Sequence, residues 1–205
     1  MASSSIIHDL DRKRDAGLAS VVYYYFDFRE VDKQTRPGLL SSLLVQLAAE
    51  SDPCCEILSR LHTMHACGVR QPSDLALTKC LNEMFEHHRQ AIYIVIDAID
   101  ECPNTSGFPT DREKVLEFLE GLLDLQAVQL PHLRVCVASR PEVGIQEVLE
   151  PLTSLRVSLH EESGQRKGIL DYVTNVVHTD KRMRKWREED KKLVIKIISE
   201  NSDGM

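Results

Sequence analysis

The sequence lacks the features that define membrane, secreted and nucleic-acid-binding proteins. No apolar run in the 205 residues approaches the ~20 residues of a membrane-spanning helix. The first ten residues do not form a basic segment followed by a long apolar core, as a secretory signal would. The formal net charge is −7, whereas a nucleic-acid-binding surface is normally basic. We therefore expect neither a membrane nor a nucleic acid among the partners.

Three catalytic signatures are absent as well. The chain contains no Gly-x-Ser-x-Gly nucleophile elbow, no His-Glu-x-x-His zinc motif and no Gly-rich phosphate loop ending in Gly-Lys-Ser/Thr. The first two absences leave hydrolase functions of those kinds without support. The third absence matters because the chain carries an acidic strand end of the type that accompanies such a loop.

The cysteines form no regular framework of the kind that disulfide-rich domains show. They stand at positions 54, 55, 67, 80, 102 and 136. This distribution predicts reduced thiols in a cytoplasmic protein. Zinc-ligand residue types cluster at Cys54, Cys55, His62, His65 and Cys67, but their spacing fits no common zinc finger. Packed cysteines and surface histidines are therefore favoured over a zinc site.

Strand and helix patterns alternate along the chain. The predicted strands are Val21–Phe28, Ile92–Ile96, Leu133–Ala138 and Leu152–Leu159. The predicted helices are Ser4–Ala16, Pro37–Glu50, Cys54–His65, Ser73–His88, Asp111–Leu125, Pro141–Leu149, Gly164–Val177 and Glu188–Glu200. His87 and His88 are expected to end a helix, where positive charge is favoured. The alternation predicts an α/β fold with a parallel or mostly parallel sheet covered on both faces.

The composition changes after Leu159. No proline follows Pro151, and lysine and arginine become dense from Lys181 to Lys192. We therefore predict a core domain over residues 1–160 and the start of a helical subdomain over residues 161–205.

The most informative segment is Ala91–Cys102, in which an apolar run ends in Asp97. Such a run predicts a buried strand, and its last residue lies at the edge where open α/β sheets bind ligands. A carboxylate there can hold Mg²⁺ beside a phosphate, or it can accept backbone N–H groups of the following turn. Asp100 and Glu101 follow closely, and their mutual repulsion predicts a cation nearby, either a metal or an arginine. One of these two acids can orient a hydrolytic water.

Ser139 and Arg140 follow the third predicted strand and should reach the same edge. A guanidinium there can sense or stabilise a γ-phosphate, because its fork matches phosphate oxygens. The alternative is an ion pair with Asp97, Asp100 or Glu101. The two roles are compatible, since such an arginine can change partners with nucleotide state.

Four blocks of the sequence resemble, in the family's order, the NACHT type of STAND-class P-loop NTPase that is common in fungal innate-immunity-like receptors. The blocks are Tyr23–Phe28 with Asp32–Thr35, Leu39–Leu47, Ile96–Cys102 and Ala138–Glu142, and the likeness extends over about residues 3–160. Asp97, Ala98, Asp100 and Glu101 match the family's Walker B pattern of an aspartate, a small residue and further acids. Ser139-Arg140-Pro141 matches its sensor strand.

The resemblance implies a parallel-sheet P-loop NTPase core and a nucleotide-driven signalling switch, in which nucleotide exchange permits self-association. In an intact relative, Asp97 would hold Mg²⁺ with bound ATP or GTP, and Ser139 would belong to the same cofactor site. Asp100 and Glu101 would position water, and Arg140 would read the γ-phosphate.

The resemblance also implies a fragment that lacks the family's first strand and its Walker A phosphate loop. That loop supplies most of the phosphate grip, so we expect this chain alone to bind no Mg²⁺–nucleotide tightly and to be no competent NTPase. Because the missing strand is central, we expect a gap between the strands that should flank it. The alternatives are a non-catalytic interaction module that pairs with full-length relatives, or a non-functional fragment without a stable fold.

Overall fold

The computed structural model describes residues 2–105, 107–158, 163–183 and 185–201. The strands are β1 (Ala19–Tyr25), β2 (Ala91–Asp97) and β3 (Leu133–Val137). The helices are α1 (Ala2–Asp15), α2 (Arg36–Glu50), α3 (Asp52–Met64), α4 (Asp74–His87), α5 (Asp111–Val128), α6 (Val143–Leu149), α7 (Ser163–Thr179) and α8 (Glu188–Asn201). Short 3-10 turns lie at Val31–Gln34, Ile99–Glu101 and Glu150–Leu152. The predicted helices are thus confirmed.

The chain divides into two compact units, Met1–Leu152 and Thr153–Met205. The first unit holds the sheet and α1 to α6, and in the second unit α7 packs against α8. The interpretation of these units as an NTPase core and a helical subdomain stays a prediction. The described part of the chain includes no helix with the length and apolar character that crossing a membrane requires.

The three strands form one parallel sheet in the order β1-β2-β3. Tyr25 lies opposite Asp97 in the last pair of the β1–β2 ladder, and Ile96 lies opposite Val137 in the last pair of the β2–β3 ladder. The α/β class and the parallel arrangement are therefore confirmed. All three strands end at the same edge of the sheet, so the residues that follow them become neighbours.

One expectation about the sheet is wrong. The β1–β2 and β2–β3 ladders are continuous, and the gap expected beside the missing strand stays a prediction. The predicted strand Leu152–Leu159 does not form over its described residues 152–158, and Leu159 lies outside the described residues. Leu155 and Val157 are 78% and 58% exposed. Alternating polarity alone does not make a strand when no neighbouring strand supplies the ladder.

The core fills one face of the sheet. Ile92, Ile94 and Ile96 point to this face and are each 0% exposed. They share one apolar cluster with residues of α2, α4 and α5. The buried leucines of α2 recur at helical spacing and are Leu39, Leu40, Leu43, Leu44 and Leu47. Each fully buried side chain of this size contributes about 1.5–3 kcal/mol, so this cluster is the main source of stability.

The other face of the sheet carries α1. Because side chains alternate along a strand, Tyr93 points away from the face that Ile92 and Ile94 occupy. Lys13 of α1 donates a hydrogen bond to the Tyr93 hydroxyl at 3.2 Å and lies 5.0 Å from its ring centre. Helices therefore pack on both faces, as predicted.

The connection after β1 packs tightly against the start of α2. Thr35 caps α2 by accepting a hydrogen bond from the Gly38 N–H at 3.2 Å. The Tyr24 hydroxyl donates to the Asp32 carbonyl at 3.4 Å, and burial raises the Tyr24 pKa to about 12. A Cβ atom added at Gly38 would lie 2.1 Å from the Asp32 carbonyl oxygen and 2.9 Å from the Tyr24 hydroxyl. Only glycine fits this approach.

The crowding at Gly38 predicts a loss of stability in the variant Gly38→Ala. The new methyl group must displace backbone, so the free energy of unfolding should fall by about 2 kcal/mol in urea denaturation. The matched control is Gly121→Ala in α5, because an added Cβ there meets no atom within 4 Å beyond its chain neighbours and the backbone of its own helix. That variant should gain about 0.5–1 kcal/mol from helix propensity. An unchanged urea midpoint for Gly38→Ala would contradict the packing described.

Candidate functional site

The polar residues singled out in the sequence meet where the three strands end. This region, the carboxyl edge, comprises Phe26–Arg29 after β1, Asp97–Cys102 at and after β2, and Ala138–Glu142 after β3. The Phe26 N–H donates to the Asp97 carbonyl at 3.1 Å, which extends the ladder beyond the end of β1. The three chain segments therefore form one continuous surface.

Asp97 is the last residue of β2 and is partly buried. Among the described residues, no group donates a hydrogen bond to its carboxylate or forms an ion pair with it. The alternative role of Asp97, capping the following turn, therefore has no hydrogen bond in the described part of the chain. Burial, and secondly the nearby Asp97 charge, raises the pKa of the Cys136 thiol on β3.

Ala98 turns the chain sharply after the strand. Its backbone is left-handed, with φ 58° and ψ 46°. A larger or branched side chain crowds the backbone in this conformation. The fully buried Ile99 anchors the turn, and its N–H donates to the Ala138 carbonyl at 3.4 Å. The small residue after Asp97 thus has a local backbone cause.

Asp100 holds the segment after β3. Its Oδ1 accepts hydrogen bonds from the Arg140 N–H at 3.0 Å and from the Ser139 hydroxyl at 3.3 Å. Arg140 Nε lies 3.4 Å from Asp100 Oδ2, and the side chains of Arg140 and Asp100 are 82% and 8% exposed. The structure thus contains the predicted pairing of the arginine with an acid. The exposed guanidinium adds little to stability, about 1 kcal/mol or less, so the bond from the Arg140 N–H to the nearly buried Asp100 carboxylate matters more.

Glu101 holds the segment after β1. Its Oε2 accepts a hydrogen bond from the Phe28 N–H at 3.1 Å. Asp27 binds the Arg29 guanidinium through both carboxylate oxygens, at 2.9 and 2.7 Å, and these bonds hold the pKa of Asp27 well below its usual range. Gln34 donates to the carbonyls of Asp27 and Phe28 at 3.2 and 2.7 Å. Asp27 is a charged member of this edge to which the sequence reasoning assigned no role.

Cys102, the last residue of the carboxyl edge after β2, is buried. Its thiol donates to the Gln34 carbonyl at 3.0 Å, and burial raises its pKa to about 12. Because the thiol stays protonated at neutral pH, Cys102 acts as a packed donor and has no nucleophilic character.

Sequence reasoning missed Arg112, whose side chain is 13% exposed. It donates to the Cys102 carbonyl at 2.9 Å and to the Asp100 carbonyl at 2.6 Å, and it pairs with the Glu142 carboxylate. A cation in the first turn of α5 is unfavourable with respect to the helix dipole. This position, which can be seen in the sequence, indicates that Arg112 has specific partners. Arg112 joins the acidic turn to the segment after β3.

In the part of the chain that the structure describes, no three His, Cys, Asp or Glu side chains come together as a metal site. Cys54 is buried whereas Cys55 and Cys67 are exposed, so the cysteines of the predicted His/Cys cluster are divided between core and surface. A divalent cation at Asp97 would have one protein carboxylate among its ligands. This is the pattern of Mg²⁺, which takes one or two carboxylates together with phosphate and water oxygens.

Near the opposite edge of the sheet, His87 and His88 end α4 as predicted, but the positive charge expected there is wrong for His88. His88 is 7% exposed, and its Nε2 lies 2.7 Å from the buried Ser20 hydroxyl. Its Nδ1 lies 3.9 Å from the Cys54 thiol. Burial lowers the pKa of His88, so positive charge is disfavoured there. The cost of desolvating the charged ring outweighs the attraction of the helix end.

The sequence model of a family described as Nephrocystin 3, N-terminal, matches residues 1–140 of the chain. The matched range includes the three strands and extends through Ser139 and Arg140. No curated protein and no solved structure matches the chain.

The buried His88 predicts acid-sensitive stability. Its folded pKa lies below the unfolded value of about 6.5, so the unfolded chain binds more protons as pH falls below that value. The free energy of unfolding should therefore decrease with falling pH from about 6.5 downward. In His88→Gln, which retains a polar partner for Ser20, this decrease should be smaller in urea titrations across the range. The exposed neighbour variant His87→Gln should keep the wild-type pH dependence, and equal profiles for all three proteins would refute the assignment.

The bonds of Arg112 predict a large effect of its removal. Arg112→Ala leaves two backbone carbonyls and the Glu142 carboxylate without their donor, and the free energy of unfolding should fall by about 2–3 kcal/mol. Arg60→Ala is the control, because Arg60 is 63% exposed and pairs with Glu83 on the surface. That change should cost less than about 1 kcal/mol. If chemical denaturation gave the same loss of unfolding free energy for both variants, Arg112 would stabilise the fold no more than a surface ion pair does.

Proposed function

The chain belongs to the family described as Nephrocystin 3, N-terminal, and we propose that its first unit is part of a NACHT-type, nucleotide-dependent signalling switch. The proposal is supported by the four sequence blocks that resemble STAND-class NTPases and by the parallel sheet on which they lie. One observation carries it. Asp97 stands without a partner among the described residues at the carboxyl edge, while the two neighbouring acids are both engaged by adjacent segments.

Asp97 is the residue that would hold Mg²⁺. Its carboxylate is a hard oxygen ligand at a fixed strand end, and no hydrogen bond or ion pair among the described residues competes for it. When bound, the metal would neutralise phosphate charge. The protein's contribution is position, because β2 lies between two other strands and cannot shift independently of them.

Four residues would respond to bound phosphate in this proposal: Asp100, Glu101, Ser139 and Arg140. Arg140 is exposed and can contact a γ-phosphate, whereas its N–H and Ser139 rest on Asp100. A movement of this segment toward phosphate would uncover the Asp100 carboxylate. In an intact relative, Asp100 and Glu101 would then position water for hydrolysis. Phosphate contact and exposure of the Asp100 carboxylate are thereby coupled.

For this chain alone we propose weak nucleotide binding and assign no NTPase activity, because its sequence has no Gly-rich phosphate loop. All six cysteines are free, which supports a reducing compartment, and we place the protein in the cytoplasm. ATP and GTP are both candidate ligands. A receptor of the innate-immunity-like type is the proposed parent protein.

A second candidate function is a non-catalytic module that pairs with a full-length relative. One observation favours it. Backbone N–H groups occupy both acids that would position water, at 3.1 Å for Glu101 and 3.0 Å for Asp100. A surface held in this way keeps its shape without nucleotide.

Binding of Mn²⁺–ATP and Mn²⁺–GTP, measured by electron paramagnetic resonance, tests the proposal. We expect a dissociation constant no tighter than about 1 mM for the 205-residue chain. Asp97→Asn removes the carboxylate that would hold the metal at this edge, so nucleotide binding should become undetectable. Asp124→Asn is the matched control, because Asp124 is an exposed acid near the end of α5. It should bind as the wild type does.

Each result has a distinct meaning. Micromolar affinity of the unaltered chain would contradict the claim that it is incompetent by itself. Equal binding by Asp97→Asn and wild type would refute the metal assignment. Absence of binding in every protein, together with co-sedimentation of the chain with a full-length relative, would favour the interaction module.

A further inference from the structure

β1 is an outer strand of the described sheet, and its sequence is prone to strand pairing. The nine residues Leu18–Phe26 contain no charge, no proline and no glycine, and four of them are aromatic. Segments of this composition pair readily with other chains when they lie at an exposed edge. A stable monomer therefore needs some device that closes this edge.

The free edge of β1 can be identified from its hydrogen-bond directions. The Phe26 N–H donates toward β2, to the Asp97 carbonyl. Because these directions alternate along a strand, Val21, Tyr23 and Tyr25 present their N–H and C=O groups on the opposite side. We call these groups the outer edge of β1, and Tyr23 lies at its centre.

The side chain of Gln46 in α2 lies against this outer edge. Its Oε1 accepts the Tyr23 N–H at 3.0 Å, and its Nε2 donates to the Tyr23 carbonyl at 2.8 Å. The Ser42 hydroxyl, 3.0 Å from Nε2, fixes the orientation of the amide. One carboxamide thus satisfies both backbone groups of one residue. A residue of an antiparallel neighbouring strand makes the same two bonds in a hydrogen-bonded pair.

We propose that Gln46 closes the outer edge of β1 against pairing with the β1 strand of a second copy of this chain. A second copy is the occupant that the strand itself fits. Two β1 strands related by a two-fold axis through Tyr23 bring the two Tyr23 residues opposite each other, where each exchanges both bonds with the other. The uncharged run then places no like charges across the pair. This role is independent of nucleotide binding.

Variants at position 46 test the proposal by sedimentation velocity over a concentration series. Gln46→Ala removes both bonds and retains good helix propensity, so its mass should rise with concentration from 23.3 kDa toward twice that value. Gln46→Lys also loses the bond to the Tyr23 N–H but leaves a charge beside the edge, which opposes pairing, and it should stay monomeric. Gln90→Ala is the matched control, because the Gln90 amide donates to the Gly17 carbonyl at 2.7 Å, outside the sheet. It should also stay monomeric.

The proposal is overturned if Gln46→Ala remains monomeric with a cooperative melt. It is also overturned if Gln46→Ala still associates after Tyr25→Lys is added, because the interface then lies elsewhere. If Gln46→Ala fails to fold, amide hydrogen exchange in the wild-type chain tests whether Gln46 protects the Tyr23 amide. We expect the Tyr23 amide to exchange about threefold or more slowly than the Tyr25 amide, after correction for intrinsic rates. Equal rates would show that Gln46 does not close the edge.

Discussion

The arrangement of the carboxyl edge depends on the guanidinium of Arg112. Its donors bind the carbonyls of Asp100 and Cys102, and its charge pairs with Glu142. The turn that carries two of the three acids is thereby tied both to the start of α5 and to the segment after β3. A planar fork with fixed donors suits this position, because three acceptors at set angles must be satisfied together. Asp100 and Glu101 have fixed positions because Arg112 binds the backbone of the turn that carries them.

The three acids of this edge differ in their surroundings, although they stand within five positions in the sequence. Asp100 and Glu101 accept backbone N–H groups from the segments on either side of β2, so their charge stabilises the loops. Asp97 has no such partner among the described residues. Its position at the end of an inner strand makes it the acid suited to an external cation. The proposed switch follows from this division, because the exposed Arg140 guanidinium can exchange Asp100 for another anion such as a phosphate.

The helices and the class of the fold were accessible from sequence because they follow from local patterns. The leucines from Leu39 to Leu47 repeat at helical spacing, and the apolar run before Asp97 indicated an inner strand. Ser73 caps α4 by accepting the Ala76 N–H, a role typical of serine at this position. The segment Leu152–Leu159 shows where such patterns fail, because its alternation is genuine but its described residues, 152–158, pair with no strand. The prediction of positive charge at His88 failed for a related reason. The burial of His88 depends on Ser20 and Cys54, which are distant from it in the chain.

The sequence by itself determined that Asp97 stands at the end of one strand and that Ser139 and Arg140 follow another. In a parallel sheet that alone brings Asp97, Ser139 and Arg140 to one edge. Only the tertiary structure decided which acids are engaged and which acid has no partner among the described residues, because this depends on N–H groups from Phe28 and Arg140 that no local pattern specifies. It also decided that Arg112 and Gln46 hold backbone groups of distant segments. Hydrogen bonds between side chains and remote backbone require a folded geometry, and chain spacing does not encode that geometry directly.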